Sequence, residues 1–174
     1  MIKLLFFITL NMTNPIPFDA IGQDISVLPN AKLEASESLP KANLYSISGN
    51  FEFLGVKIDG ISLGTNKQNI IQTISIAIPG ELNRETYNLL VDAYGEPKAL
   101  YNTDQVIEVS ESVDEKGIRA KETKSTMKEC TFDEEPKLIV WDNNKGKIEL
   151  SMARKRQLFR TYRITFGDRS YLFD

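Results

Sequence analysis

The sequence predicts an α+β fold: one domain, a mostly antiparallel β-sheet with one main amphipathic helix (83–94) packed across it. Three observations carry this. Only Leu82 to Pro97 shows a helical period with a start and a stop. On both sides of it, segments alternate apolar and polar residues as half-buried strands do. The connections between most of those segments are short enough for neighbouring strands to pair in a meander.

The helix is the clearest element. Asn83 suits an N-cap, because its side-chain oxygen can accept from free amides of the first turn. Leu82 and Tyr87 occupy the two positions of a hydrophobic staple. Tyr87, Leu90, Val91 and Tyr94 form an apolar stripe, Gly95 permits a left-handed closing turn, and Pro97 forbids continuation. The stripe is expected to cover Trp141 and the strand bearing Ile74 and Ile76.

Ahead of the helix, Ala42 to Ile58 reads as β, with a turn expected at Gly49-Asn50 and bends at Gly55 and Gly60. Ile74, Ile76 and Ile78 alternate with polar or small residues in a further strand, which Pro79-Gly80 ends. After the helix, Gln105 to Val113 alternates weakly through Ile107, Val109 and Val113. Asp114 to Gly117 is a plausible turn, and Ile118 to Thr131 returns as a very polar strand. Between Asp104 and Glu135 there are ten acidic and five basic residues, so this hairpin (104–135) is expected to project or to lie at a sheet edge. Lys137 to Trp141 and Lys147 to Met152 are stronger strands, joined by Asp142-Asn-Asn-Lys-Gly146 with Gly146 suited to positive φ. Leu158, Tyr162, Ile164 and Phe166 line one face of a last strand.

The first residues read as an address. Met1-Ile-Lys3 is basic, Leu4 to Leu10 is apolar, and Ala20-Ile-Gly22 offers small residues for a cut near Gly22/Gln23. Residues 1–22 are therefore expected to be a signal peptide and the protein to be secreted or periplasmic; the competing reading is a buried N-terminal strand. A seven-residue apolar run does not span a bilayer, which takes about 20. Residues 23–41, polar and carrying Pro29 and Pro40, read as an N-terminal arm or linker, and 42–174 as the domain.

Composition excludes more chemistry than it suggests. The 174-residue chain has no histidine, which removes His-based triads and His-ligated metals. Its single cysteine, Cys130, leaves no internal disulfide and no thiolate cluster. A net charge of −3 argues against nucleic acid as the partner. Ser125-Thr-Met-Lys128 and Ser38-Leu-Pro-Lys41 match S-x-x-K, but that motif needs a helix start, which a strand pattern and Pro40 deny. Gly60 to Lys67 has the wrong spacing for a phosphate loop. Glu108, Glu111, Asp114 and Glu129 offer paired carboxylates, in a solvated and charge-dense setting that does not raise a pKa. Asp133 to Glu135 and Asp142 to Asn144 lack the spaced oxygens of a calcium loop. No catalytic residue, metal ligand or cofactor is therefore assigned.

The basic C-terminal stretch, Lys145 to Arg169, holds eight basic and two acidic residues interleaved with aromatics. Phe159, Arg160, Tyr162 and Arg163 are the candidate binding residues, since arginine among aromatics is a common interface anchor. The sequence thus points to an exported, non-enzymatic binding module of the cell envelope or exterior, docking a protein or anionic partner. The alternatives are a small-ligand binder with Tyr87, Tyr94 and Trp141 around a pocket between helix and sheet, and a histidine-independent hydrolase using carboxylates. A helix closing on Tyr94-Gly-Glu-Pro97, followed by the Trp141 strand and a hairpin, resembles small envelope proteins of the SmpA/OmlA and β-lactamase-inhibitor-like groups. The chain lacks the lipid-anchor cysteine of the former, and the resemblance assigns no family.

Overall fold

A computed structural model describes residues 14–35, 41–113, 119–143, 146–152 and 161–168. Nine strands and one helix follow in order: β1 (Lys32–Ala35), β2 (Ala42–Phe53), β3 (Val56–Asn66), β4 (Ile71–Pro79), α1 (Arg84–Tyr94), β5 (Ala99–Val113), β6 (Arg119–Glu129), β7 (Leu138–Asn143), β8 (Gly146–Met152) and β9 (Thr161–Gly167). The strands make one sheet in the order β1-β2-β3-β4-β9-β8-β7-β5-β6, every neighbouring pair antiparallel. The fold is α+β and mostly sheet.

Two meanders meet at β9, which inserts between β4 and β8. Period-2 alternation in the central strands puts Ile74, Ile76, Ile78, Tyr162, Ile164, Phe166, Ile148, Leu150, Ile139 and Trp141 into one core, with Tyr87 and Leu90 of α1. The helix begins and ends as its sequence dictates. Asn83 Oδ1 accepts from Thr86 N–H at 2.8 Å, and Gly95, at φ +83°, donates its amide to the Val91 carbonyl at 2.7 Å. Trp141 is fully buried and its indole N–H donates to the Gly95 carbonyl at 2.8 Å, tying the helix end to β7.

Three features differ from the sequence reading. The expected turn at Gly49-Asn50 is instead an irregularity inside β2, where the register shifts between Ser48 and Phe51. The chain turns at Leu54-Gly55, both at positive φ (+49° and +78°), the two-residue geometry for which Asn-Gly is the usual signal. Lys32 to Ala35, within the expected arm, pairs with β2 as an edge strand. Residues 14–22 also lie on the body: Gly22 N–H donates to Ile71 O at 2.8 Å, Ile71 N–H returns to Gln23 O at 2.8 Å, and Ala20 is buried. Ile16, Phe18 and Ile21 pack on the core.

The chain between Ala99 and Glu129 forms a long hairpin. Ala99–Tyr101 pair with β7, and beyond Tyr101 β5 pairs only with β6 among the described residues. The expected turn at 114–117 lies outside the described residues. At the base, a short turn (Phe132–Glu134) is clamped to α1. Phe132 stacks on Tyr87 with ring centroids 4.3 Å apart, the Arg84 guanidinium lies 4.3 Å from the Phe132 ring centre, and Arg84 ion-pairs with Asp133.

Candidate binding surfaces

Tyr162 and Arg163 are neighbours in β9, so strand alternation sends them to opposite faces. Tyr162 is 3% exposed and belongs to the core beneath α1. Burial raises its phenol pKa, and a hydrogen bond with Thr86 partly offsets that rise. It therefore cannot share a docking face with Arg163. Phe159 and Arg160 lie outside the described residues. Arg163 is exposed on the sheet face away from α1, between Ala77 of β4 and Ser151 of β8.

That face is built from small and hydroxylated residues. Ser62, Ser75 and Thr165 lie in register across β3, β4 and β9, with the Ser75 and Thr165 hydroxyls 2.9 Å apart. Arg163 stands among them with no ion pair to any described residue. Lys147, on β8, is by contrast held 3.6 Å from both Glu149 and Asp168. Arg163 is thus a positive charge on a face that also carries Glu149, in register with Thr165 and paired with Lys147.

A second feature is a cavity of about 300 Å³ at the end of the sheet, lined by Phe18, Ile21, Tyr94, Ile148, Phe166 and the stem of Lys147. Of the three aromatic residues expected to line a pocket, only Tyr94 reaches it. Trp141 is wholly buried, and Tyr87 is covered by Phe132. Phe18 and Ile21 have no part in the sequence reading of this pocket because they fall in the presumed leader.

The hairpin carries the third feature. Val106, Val109 and Met127 are 57%, 49% and 42% exposed. Two bulges in β5 place Thr103, Val106 and Val109 opposite Met127, Ser125 and Thr123, so residues three apart fall on one face. Strict alternation instead selects Ile107, Val109 and Val113, and the bulges break that pattern.

The remaining candidates have structural roles where they are described. Ser125 and Lys128 lie an odd number of residues apart in β6 and so face opposite sides, which no S-x-x-K chemistry tolerates. Ser38 lies outside the described residues. Gly60 to Asn66 is part of β3, and Lys67 donates to Ala42 O at 3.1 Å. Asp133 is paired with Arg84, and Asp142 with Lys98 at 3.0 Å. Asp24 and Glu134 are held below the ordinary carboxylate range by hydrogen bonds from Ser26 and Thr131 respectively, the reverse of what a general acid requires. Glu129 is exposed, and Asp114 and the side chains of Glu108 and Glu111 lie outside what is described. Burial, and secondarily Glu134, push the Cys130 thiol pKa up, away from a reactive thiolate. Among the described residues no group of three His, Cys, Asp or Glu is placed to hold a metal ion, and no helix is long and apolar enough to cross a membrane. No family model, curated protein or solved structure matches the chain.

Proposed function

We propose that the protein is a non-enzymatic binding module of the cell envelope or exterior that docks an anionic protein partner on the open face of its sheet, around Arg163. The observation that carries this is an exposed arginine without an ion pair to any described residue, standing between Ala77 and Ser151 on a face where Lys147 and Glu149 pair with each other. The export part of the reading rests on Met1 to Leu10. We propose a cut before Asn14 in place of the expected one at Gly22/Gln23, a reading supported by the packing of Phe18, Ala20 and Ile21 and by the Asn14 amide bonded to Asn50 O.

The test is affinity capture at low salt. Wild-type protein should retain a partner from an envelope or extracellular fraction, salt should release it, and Arg163→Glu should weaken its capture by about tenfold without lowering Tm. A partner held equally well by Arg163→Glu, or none retained at all, would refute the proposal.

The cavity favours a second reading, in which a small neutral apolar ligand sits between Tyr94, Phe166, Ile148 and Phe18. Its size is at the lower end for ligand pockets, and Lys147 at its rim already has two carboxylate neighbours. Those carboxylates disfavour an anionic ligand there.

A further inference from the structure

β6 is the last strand of the sheet, eleven residues long, and among the described residues nothing pairs with its outer side. Such an edge is a template for another strand. The direction of its free groups can be read from one bond: Cys130 N–H donates to Leu100 O at 2.9 Å, towards β5. Antiparallel alternation then points the amides and carbonyls of the odd-numbered residues of β6 outward. A two-fold pairing of β6 with a second copy must therefore centre on a residue, never between two, so the possible registers are few.

One register is distinguished by charge. Centred on Ser125, it sets Lys121 opposite Glu129 and Glu122 opposite Lys128 of the second copy; each pairing occurs twice by symmetry, and no like charges meet. Centring on Lys121, Glu122 or Lys124 puts a charged residue opposite itself. Centring on Thr126 sets Lys124 against Lys128. Centring on Thr123 leaves only Glu122 with Lys124, and centring on Met127 leaves no charge pair at all. Among the registers of β6 on itself, the one centred on Ser125 thus makes the most opposite-charge pairs and no like-charge pair. The same arrangement keeps both copies' Val106, Val109 and Met127 on one side of the four-stranded unit.

We infer that the protein self-associates through this edge, two hairpins forming a four-stranded antiparallel β5-β6-β6-β5 unit centred on Ser125. The surface is distinct from the Arg163 face, and the inference does not depend on the partner proposed above.

Sedimentation of the full chain across a concentration series tests it. Wild type should pass from monomer to dimer as its concentration rises. Glu122→Lys or Lys128→Glu alone should each weaken dimerisation about tenfold, and the double charge swap should restore it. In β5 the residues in register with Glu122 and Lys128 are the uncharged Ser110 and Asn102, whereas Lys128 also neighbours the Glu134 carboxylate, so each variant's far-UV dichroism must match wild type before its dimerisation is compared. Ser125→Pro removes only an outward-facing amide and should abolish the dimer; unchanged far-UV dichroism would confirm that the monomer still folds. A chain that stays monomeric at its highest soluble concentration overturns the inference. So does a dimer indifferent to Ser125→Pro, a double swap no better than its single changes, or growth to larger open-ended oligomers.

Discussion

At Gly167, where β9 passes the bulge in β4, an added Cβ would lie 2.0 Å from the Gln72 carbonyl oxygen, and φ there is +100°. Both facts act in the same direction, since backbone cannot yield as a flexible side chain does. Gly167→Ala is expected to cost about 2–4 kcal/mol, overpacking and left-handed strain combined, read as a shift of the urea midpoint at unchanged m. A change under about 0.5 kcal/mol would mean that β4 and β9 are less closely apposed. Nothing in the sequence marks this glycine, because the clash comes from a residue almost a hundred positions away. Leu54 is obscure for a different reason. It takes a positive φ that favours asparagine, and it is held there while packing against the core. Tyr162 and Arg163 show the opposite situation: alternation in β9 is clean, and it separates by physics two residues that composition alone groups together.

Elements with local signals are legible and those fixed at a distance are not. Asn83 and Gly95 bound α1 in sequence and in structure, and Gly146 closes the β7–β8 loop at φ +107°. The two bulges of β5 replace a period of two with a period of three, so the apolar row Val106–Val109–Met127 has no recognisable signature in the chain. The hairpin's base depends on a capping box in which Glu134 accepts from Thr131 N–H at 2.8 Å and from its hydroxyl at 3.0 Å. Those bonds lower the Glu134 pKa below its ordinary 4.5. A depressed carboxylate contributes its stabilisation above the unfolded value and loses it as pH falls through the folded one. The amide of Cys130, which closes the hairpin base on Leu100, should therefore exchange faster with solvent once pH drops below about 4.5, after correction for intrinsic rates. Glu134→Gln should remove that pH dependence. Identical corrected exchange in both proteins would show that the box does not hold the base.

At the scale of the whole molecule, Phe166 is where distant parts of the chain meet. Its ring lies 4.4 Å from Phe18 of the N-terminal segment, 5.8 Å from Phe53 of β2 and 5.8 Å from Tyr94 of α1. Its strand joins the two meanders, a pairing between residues so far apart in sequence that no local pattern announces it. The N-terminal segment is hard to read for a related reason. An apolar start followed by small residues satisfies the rule for a leader, while its burial depends on a last strand still to be made. These two readings of residues 14–22 predict different energetics. If the segment is a dispensable leader, Phe18→Ala leaves stability unchanged to within about 0.5 kcal/mol. If it is part of the core, the half-buried ring contributes its share of hydrophobic burial, and Phe18→Ala costs about 1.5–3 kcal/mol. The tilted contact with Phe166 adds a coupling of about 0.5–1.5 kcal/mol, which a double-mutant cycle with Phe166→Leu isolates from general loosening of the core. We expect the larger loss and a measurable coupling. From the same packing we expect a processed form of the protein to keep Phe18, and N-terminal sequencing that found Gln23 as the first residue of a stably folded protein would remove the segment from the fold.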